Sequence, residues 1–163
     1  EVIRIFLPVG EVAVSKVYGN LRPPEKHELP QKKFLAYGSS ITHGSMSYSQ
    51  PDTYVSRLAQ NLNCDYINLG FSGSARGETI IAEYIASLDM DIFVLDYDHN
   101  APDANHLEAT HERMFRTIRE KQPNLPIVMV SMPASNNGEG TIARKDKSWN
   151  SVPGFFVKLF KKK

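Results

Sequence analysis

The 163-residue chain has one cysteine, one tryptophan, no histidine after His111 and no excess of either charge. A lone Cys64 cannot close an intrachain disulfide. Placed just before an apolar run, it is expected to act as a small buried hydrophobe. Nineteen Lys and Arg against 18 Asp and Glu leave a formal charge of +1, which argues against an electrostatic nucleic-acid binder. The terminal Lys161, Lys162 and Lys163 are the local exception and read as a solvated tail. No apolar segment approaches the ~20 residues that span a bilayer, so no membrane partner is expected. No signal peptide opens the chain, but it starts on Glu1 rather than Met. An upstream start therefore stays open, and the compartment is not decided.

What is present is the composition of a globular domain with a real core, 41% hydrophobic and 23% charged. From Phe34 onward, short apolar runs alternate with amphipathic ones. "KFLAYG", "DYINLGF", "DIFVLDYD" and "PIVMVSM" read as strands. "TYVSRLAQNLN" carries Val55, Leu58, Ala59 and Leu62 at helical spacing, and "ETIIAEYIASL" carries Ile80, Ile81, Tyr84, Ile85 and Leu88. A long helix is predicted over 102–121, ending before Pro123. Apolar strands separated by helices imply an α/β fold with a parallel, doubly wound sheet, though four countable strands are few for this class. The ends break the rhythm. Residues 1–22 are expected as two remnant strands of an N-terminal β domain and 23–33, within "NLRPPEKHELPQKK", as a proline-bearing linker. Residues 34–163 form the main domain, incomplete at its C-terminus.

Ligands of such sheets bind at the carboxyl ends of the strands, which directs attention to the loops after Tyr37, Phe71, Tyr97 and Met132. The first, "YGSSITHG", places Ser39 and Ser40 before a helical turn. A serine there is either a helix cap or a reactive hydroxyl near a helix N-terminus. The second, "NLGFSGSARG", has Gly70, Gly73 and Gly77, which permit positive φ and close approach to a ligand. Its spacing matches neither nucleotide fingerprint. The third, "DYDHNAPD", offers Asp96, Asp98, His99, Asn100 and Asp103. The amide of Asn100 either stabilises an anionic intermediate or makes an Asx turn or helix cap. The Asp and His residues are hard-metal ligand types, but alternation along a strand divides them between two faces, so no metal and no cofactor are expected.

In order, "YGSSITHG", "NLGFSG" and "LDYDHN" resemble the first three blocks of the SGNH (GDSL-type) hydrolase family. The resemblance covers about residues 34–132. It implies a three-layer α/β/α, flavodoxin-like fold and acyl transfer by a serine. The family's Gly-Asp-Ser-Leu block maps onto Gly38-Ser39-Ser40-Ile41, which makes Ser40 the nucleophile and puts Ser39 in the aspartate's place. The glycine of the second block maps to Gly73. The Gly-x-Asn-Asp of the third maps onto Asp98-His99-Asn100-Ala101, which gives Asn100 to the oxyanion hole. With "IRIFLP" ahead of these blocks, the chain looks like the bacterial branch that carries a β-sandwich before the hydrolase domain.

The family's fourth block, Asp-x-x-His, has no counterpart here, because no histidine follows His111. His43, three residues after Ser40, is expected to serve loop packing or hydrogen bonding. His99 is the other possible substitute base, and His106 and His111 are expected on a helix surface. In "SVPGFFVKLFKKK", residues Phe155, Phe156, Val157, Leu159 and Phe160 could pack as a short amphipathic helix over an open sheet edge. The expected function is a serine esterase acting on a small acyl-ester partner, such as an acetylated carbohydrate. The alternatives are a catalytically inactive chain of the same fold, or a flavodoxin-like small-ligand binding module.

Overall fold

The computed structural model describes residues 2–7, 12–45 and 47–130. The apolar C-terminal run and the loop after Met132 lie outside the described residues. In chain order the elements are β1 (Lys33–Gly38), α1 (Ser40–His43), α2 (Tyr54–Leu62), β2 (Asp65–Gly70), α3 (Thr79–Ser87), β3 (Ile92–Asp96), α4 (Ala104–Lys121) and β4 (Ile127–Met129). Short 3-10 turns at Lys26–Glu28, Gln50–Asp52 and Asp98–Asn100 join them. All four strands are parallel, in the order β2-β1-β3-β4. The chain reverses its direction of sheet growth between β1 and β3, the crevice where such sheets receive ligands.

Local chemistry sets the element ends. Thr53 caps α2 by accepting from the Ser56 N–H, and Asn63, at φ 49°, closes it in the left-handed conformation. Asp103 caps α4 by accepting from the His106 N–H. That helix starts at Ala104 rather than 102, because an extended capping residue must precede the first helical one.

The strands are apolar on both faces and helices pack on both. On one face Leu35, Tyr37, Phe93, Leu95 and Ile127 join Ala82 and Ile85 of α3 and Met114 and Ile118 of α4. On the other, Phe34, Ala36 and Val94 meet Val55 and Ala59 of α2. Burial of each large side chain contributes about 1.5–3 kcal/mol. The helical stripes are only partly used. Leu58 and Leu62 of α2, and Ile80 and Tyr84 of α3, stay exposed. Cys64 is half-buried, its thiol directed at the Ala59 carbonyl.

Residues 2–7 and 12–18, expected to hold strands, belong to none among the described residues. A strand needs a neighbouring ladder for its N–H and C=O groups, and among the described residues none lies beside this segment. Its tie to the domain is Arg4, which bonds Asp65 at 2.7 Å and sits 5.8 Å over the Tyr66 ring.

Gly38 and Gly70 are register partners at the ends of β1 and β2, and both sit under α1. A Cβ on Gly70 would lie 2.1 Å from the His43 backbone N and 2.5 Å from its Cα. One on Gly38 would lie 2.5 Å from the Asp96 carbonyl oxygen. Backbone atoms cannot swing aside as a side chain can, so Gly70→Ala is expected to lower stability in urea unfolding by about 3 kcal/mol. Gly73→Ala meets no atom within 4 Å but adopts φ +70°, and the same measurement should register about 1–2 kcal/mol from that strain alone.

Candidate active site

The two serines divide their roles. Ser39 is fully buried; its N–H donates to the Asp96 carbonyl at 3.1 Å and its Oγ accepts from the Ile41 N–H at 3.2 Å. It is the cap of α1, so its hydroxyl is spent on the backbone. Ser40 is the first helical residue, half-buried, and no hydrogen bond engages its Oγ among the described residues. At that position its own N–H also has no helical carbonyl to bond.

The loop after β2 folds back on β1. Phe71 N–H donates to the Gly38 carbonyl at 2.9 Å, and the Phe71 carbonyl accepts from Ser74 and Ala75 N–H at 3.0 and 3.2 Å. This tight turn carries Gly73 at φ +70°, exposed, with its N–H in no hydrogen bond among the described residues. The loop after β3 then reaches across. Asn100 Nδ2 donates to the Phe71 carbonyl at 3.0 Å. Asn100 is thus not the cap of α4, a role held by Asp103. Ser45 and Ser72 hydroxyls meet at 2.9 Å. Each of the three sequence blocks is therefore bonded to the other two.

Asn68, Thr42, Tyr54 and Glu78, which the sequence reading did not single out, hold this arrangement together with Asp96 and Tyr37. Asn68 Nδ2 donates to the Thr42 carbonyl at 2.8 Å while its Oδ1 accepts from the Gly70 N–H at 2.9 Å. A polar residue inside the apolar strand "YINLG" was the available signal. Asp96 Oδ2 accepts from Thr42 Oγ1 at 2.8 Å and from Tyr54 OH at 2.9 Å. Burial raises the Asp96 carboxyl above its ordinary range, against the lowering effect of those two hydroxyls. On the opposite side of the sheet, Tyr37 OH donates to Glu78 at 2.6 Å and accepts from the Gly77 N–H at 2.9 Å. Partial burial pushes the Glu78 carboxyl up, but bonds from Tyr37 and the Arg76 N–H outweigh it and hold the group below its usual range. Both ends of the Gly73 loop are thereby anchored.

A family model, the GDSL-like lipase/acylhydrolase family, matches residues 31–155. The chain belongs to that family. A structure from Bacteroides ovatus described as a GDSL-like lipase is similar at 29% identity and TM-score 0.59, over 66% of this chain and 32% of that one. A salicylyl-acyltransferase from a tetracycline biosynthetic pathway shares the fold at 23% identity and TM-score 0.53, over 69% and 35%. A family two carbohydrate esterase from Clostridium thermocellum, solved with cellohexaose, does so at 14% and 0.56, over 80% and 50%. The chain thus spans about a third of the length of the first two. A search of curated proteins finds no match. The SGNH resemblance and the three-layer fold with its parallel sheet are borne out, and the family is one of esterases and acyltransferases.

In this GDSL-like chain the histidines are distributed unevenly. His43 ends α1, and its Nδ1 is buried without a hydrogen-bond partner among the described residues. It serves packing rather than hydrogen bonding through that atom. His99 is half-buried beside Asp96. The two helix histidines are not free surface residues. His106 Nε2 donates to the Arg76 carbonyl at 2.8 Å, and His111 stacks on Tyr97, centroids 5.6 Å apart. Helical periodicity alone could not show that both face the loop after β2 and the β3 end. Among the described residues, no three His, Cys, Asp or Glu side chains are placed to hold a metal ion.

Burial pushes His111 down to about 4, against an ordinary value near 6.5 in the unfolded chain. The folded state then binds fewer protons than the unfolded one between these values. Its contribution to stability is full above about pH 6.5 and is lost as pH falls toward 4. Denaturant unfolding should show about 1–3 kcal/mol of stability disappearing over that window. In His111→Phe, which keeps a ring against Tyr97, this part of the slope should be absent.

Proposed function

We propose that this chain carries the nucleophile and oxyanion half of a serine acyl-transfer site. Ser40 Oγ attacks the carbonyl carbon of an ester, and the carbonyl electrons move onto oxygen. That oxyanion is received by the N–H groups of Ser40 and Gly73 and the side-chain amide of Asn100. When the C=O re-forms, the bond to the alcohol breaks and leaves an acyl-Ser40, which water or a second alcohol then relieves of its acyl group. A donor of this kind is worth ~3–4 kcal/mol in acyl transfer.

The single observation that supports this most is the inequality of the two serines. Ser39 is consumed as a cap, whereas Ser40 keeps a hydroxyl and an N–H without partners among the described residues, just past the strand end bonded to both other blocks. A pure cap would need one serine. The substrate class to test first is a small acyl ester, with acetylated carbohydrate as the lead because one structure of the same fold is a carbohydrate esterase. The acyltransferase of the same fold makes transfer to an alcohol the companion assay.

The proton on Ser40 is the weak point of the reaction. No histidine follows His111, and an alcohol at neutral pH is almost wholly protonated. Loss of the base histidine in a serine protease costs roughly six orders of magnitude, leaving ~10³–10⁴ over water from binding and the oxyanion hole. Residues 1–163 are therefore expected to hydrolyse p-nitrophenyl acetate no faster than that residual level. Ser40→Ala should leave that residual rate nearly unchanged, because it comes from binding and the oxyanion hole, whereas Asn100→Ala should lower it about 10²–10³-fold. Ser39→Ala should instead cost about 1 kcal/mol of stability. Fast turnover abolished by Ser40→Ala would reveal a base within the chain, to be sought with His43→Ala and His99→Ala.

A further inference from the structure

Two stems carry the turn that presents Gly73, and they are held differently. The upstream stem is fixed by main chain, since the Phe71 N–H donates to the Gly38 carbonyl at 2.9 Å. The Phe71 carbonyl closes the turn on Ser74 and Ala75 and also accepts from Asn100 Nδ2. The downstream stem, Arg76 to Glu78, has no main-chain bond to a strand among the described residues. Side chains hold it instead. The peptide between Arg76 and Gly77 is gripped on both edges: His106 Nε2 donates to the Arg76 carbonyl at 2.8 Å, and the Gly77 N–H donates to Tyr37 OH at 2.9 Å. A peptide is planar and stiff, so two bonds on opposite edges fix its orientation between α4 and β1. Arg113 adds a longer contact to the Gly77 carbonyl at 3.3 Å. Gly77 is buried at φ +73°, and a Cβ there would lie 2.8 Å from Tyr97 OH, so the stem sits tight against that ring.

We propose that His106 is a positioning residue for acyl transfer, one that holds the Gly73 N–H in place relative to Asn100. This rests on the reading of Gly73 and Asn100 as oxyanion donors. Both grips on the turn come from one stretch of chain. Asn100 takes the upstream stem at Phe71, and His106, in the first turn of α4, takes the downstream stem at Arg76. Asp103 caps that turn by accepting from the His106 N–H at 2.8 Å, so the ring departs from a fixed backbone. Its partner is a carbonyl, which only accepts, so Nε2 carries the proton. Ser72, Gly73 and Ser74 are exposed between the two stems. Without His106, the Arg76–Gly77 peptide keeps its N–H edge fixed and can rotate about it, carrying the turn with it. An oxyanion site requires donors aimed before charge develops.

The test is backbone ¹⁵N relaxation of the 163-residue chain. In the parent protein the Gly73 N–H should be rigid, with an order parameter of about 0.85, and in His106→Ala it should fall below about 0.6. His106→Gln, whose side-chain amide can still donate to the Arg76 carbonyl, should restore most of that order. Arg116→Ala is the control, because it removes an exposed ion pair with Glu112 from the same helix. A Gly73 N–H that is mobile in the parent, unmoved by His106→Ala, or equally loosened by Arg116→Ala would overturn the proposal. Failure of glutamine to restore order would overturn it too, since the effect would not then run through the bond. Residual p-nitrophenyl acetate hydrolysis separates this result from the reading beneath it. His106→Ala should lower kcat about tenfold with KM unchanged, less than the roughly 10²–10³-fold lost with a whole donor. A loosened Gly73 with kcat unchanged would leave the hold of His106 on the turn standing and overturn the Gly73 N–H as an oxyanion donor.

Discussion

The structure depends on one close approach: the backbone of α1 lies directly against the ends of β1 and β2, where Gly38 and Gly70 stand side by side. Any side chain at either glycine would occupy space now held by Thr42, His43 or the Asp96 carbonyl. Asn68 bridges the contact by bonding the Thr42 carbonyl and the Gly70 N–H together. The four-residue α1 is too short to persist alone, since helix nucleation is unfavourable and a single turn returns few bonds. It exists because it is clamped. Ser40 is the first residue of that clamped turn, so its position follows from backbone packing rather than from its own side chain.

The polar interior has a matching logic. A buried carboxylate is costly unless its oxygens are occupied. Asp96 is buried at the sheet's carboxyl edge and satisfied by Thr42 and Tyr54, one from each helix on that side. Tyr37 and Glu78 do the same work beneath the Gly73 loop. The loops at the strand ends are thus held by hydrogen bonds from below, while Ser40 Oγ and the Gly73 N–H have no partners among the described residues. An acyl-transfer site wants this arrangement, because donors already oriented need no reorganisation when charge develops.

The same fold separates two kinds of apolar surface. Around α3 and α4 it is enclosed by continuous packing. Beside α2 the sheet offers a groove whose walls are aliphatic side chains in water. Contiguous exposed apolar surface of this kind is uncommon on a soluble fold. Ser40 does not line the groove, while its neighbour Ile41 and Asp96 do.

Sequence by itself determined the alternation of strands and helices, the parallel sheet, and the family, because apolar periodicity and the three ordered blocks are local properties of the chain. The division between Ser39 and Ser40 was not local. Both could cap a helix, and only the N–H of Ile41 and the carbonyl of Asp96, two residues and 57 residues from Ser39, decide which one does. The partners of Asn68 and Tyr54 were hidden for the same reason: they lie 26 and 42 positions away. The α2 stripe shows the limit in reverse. Periodicity grouped Leu58 and Leu62 with Val55 and Ala59, yet only Val55 and Ala59 are buried; burial requires a second surface, and which surface arrives is settled only when distant segments are brought together by the fold.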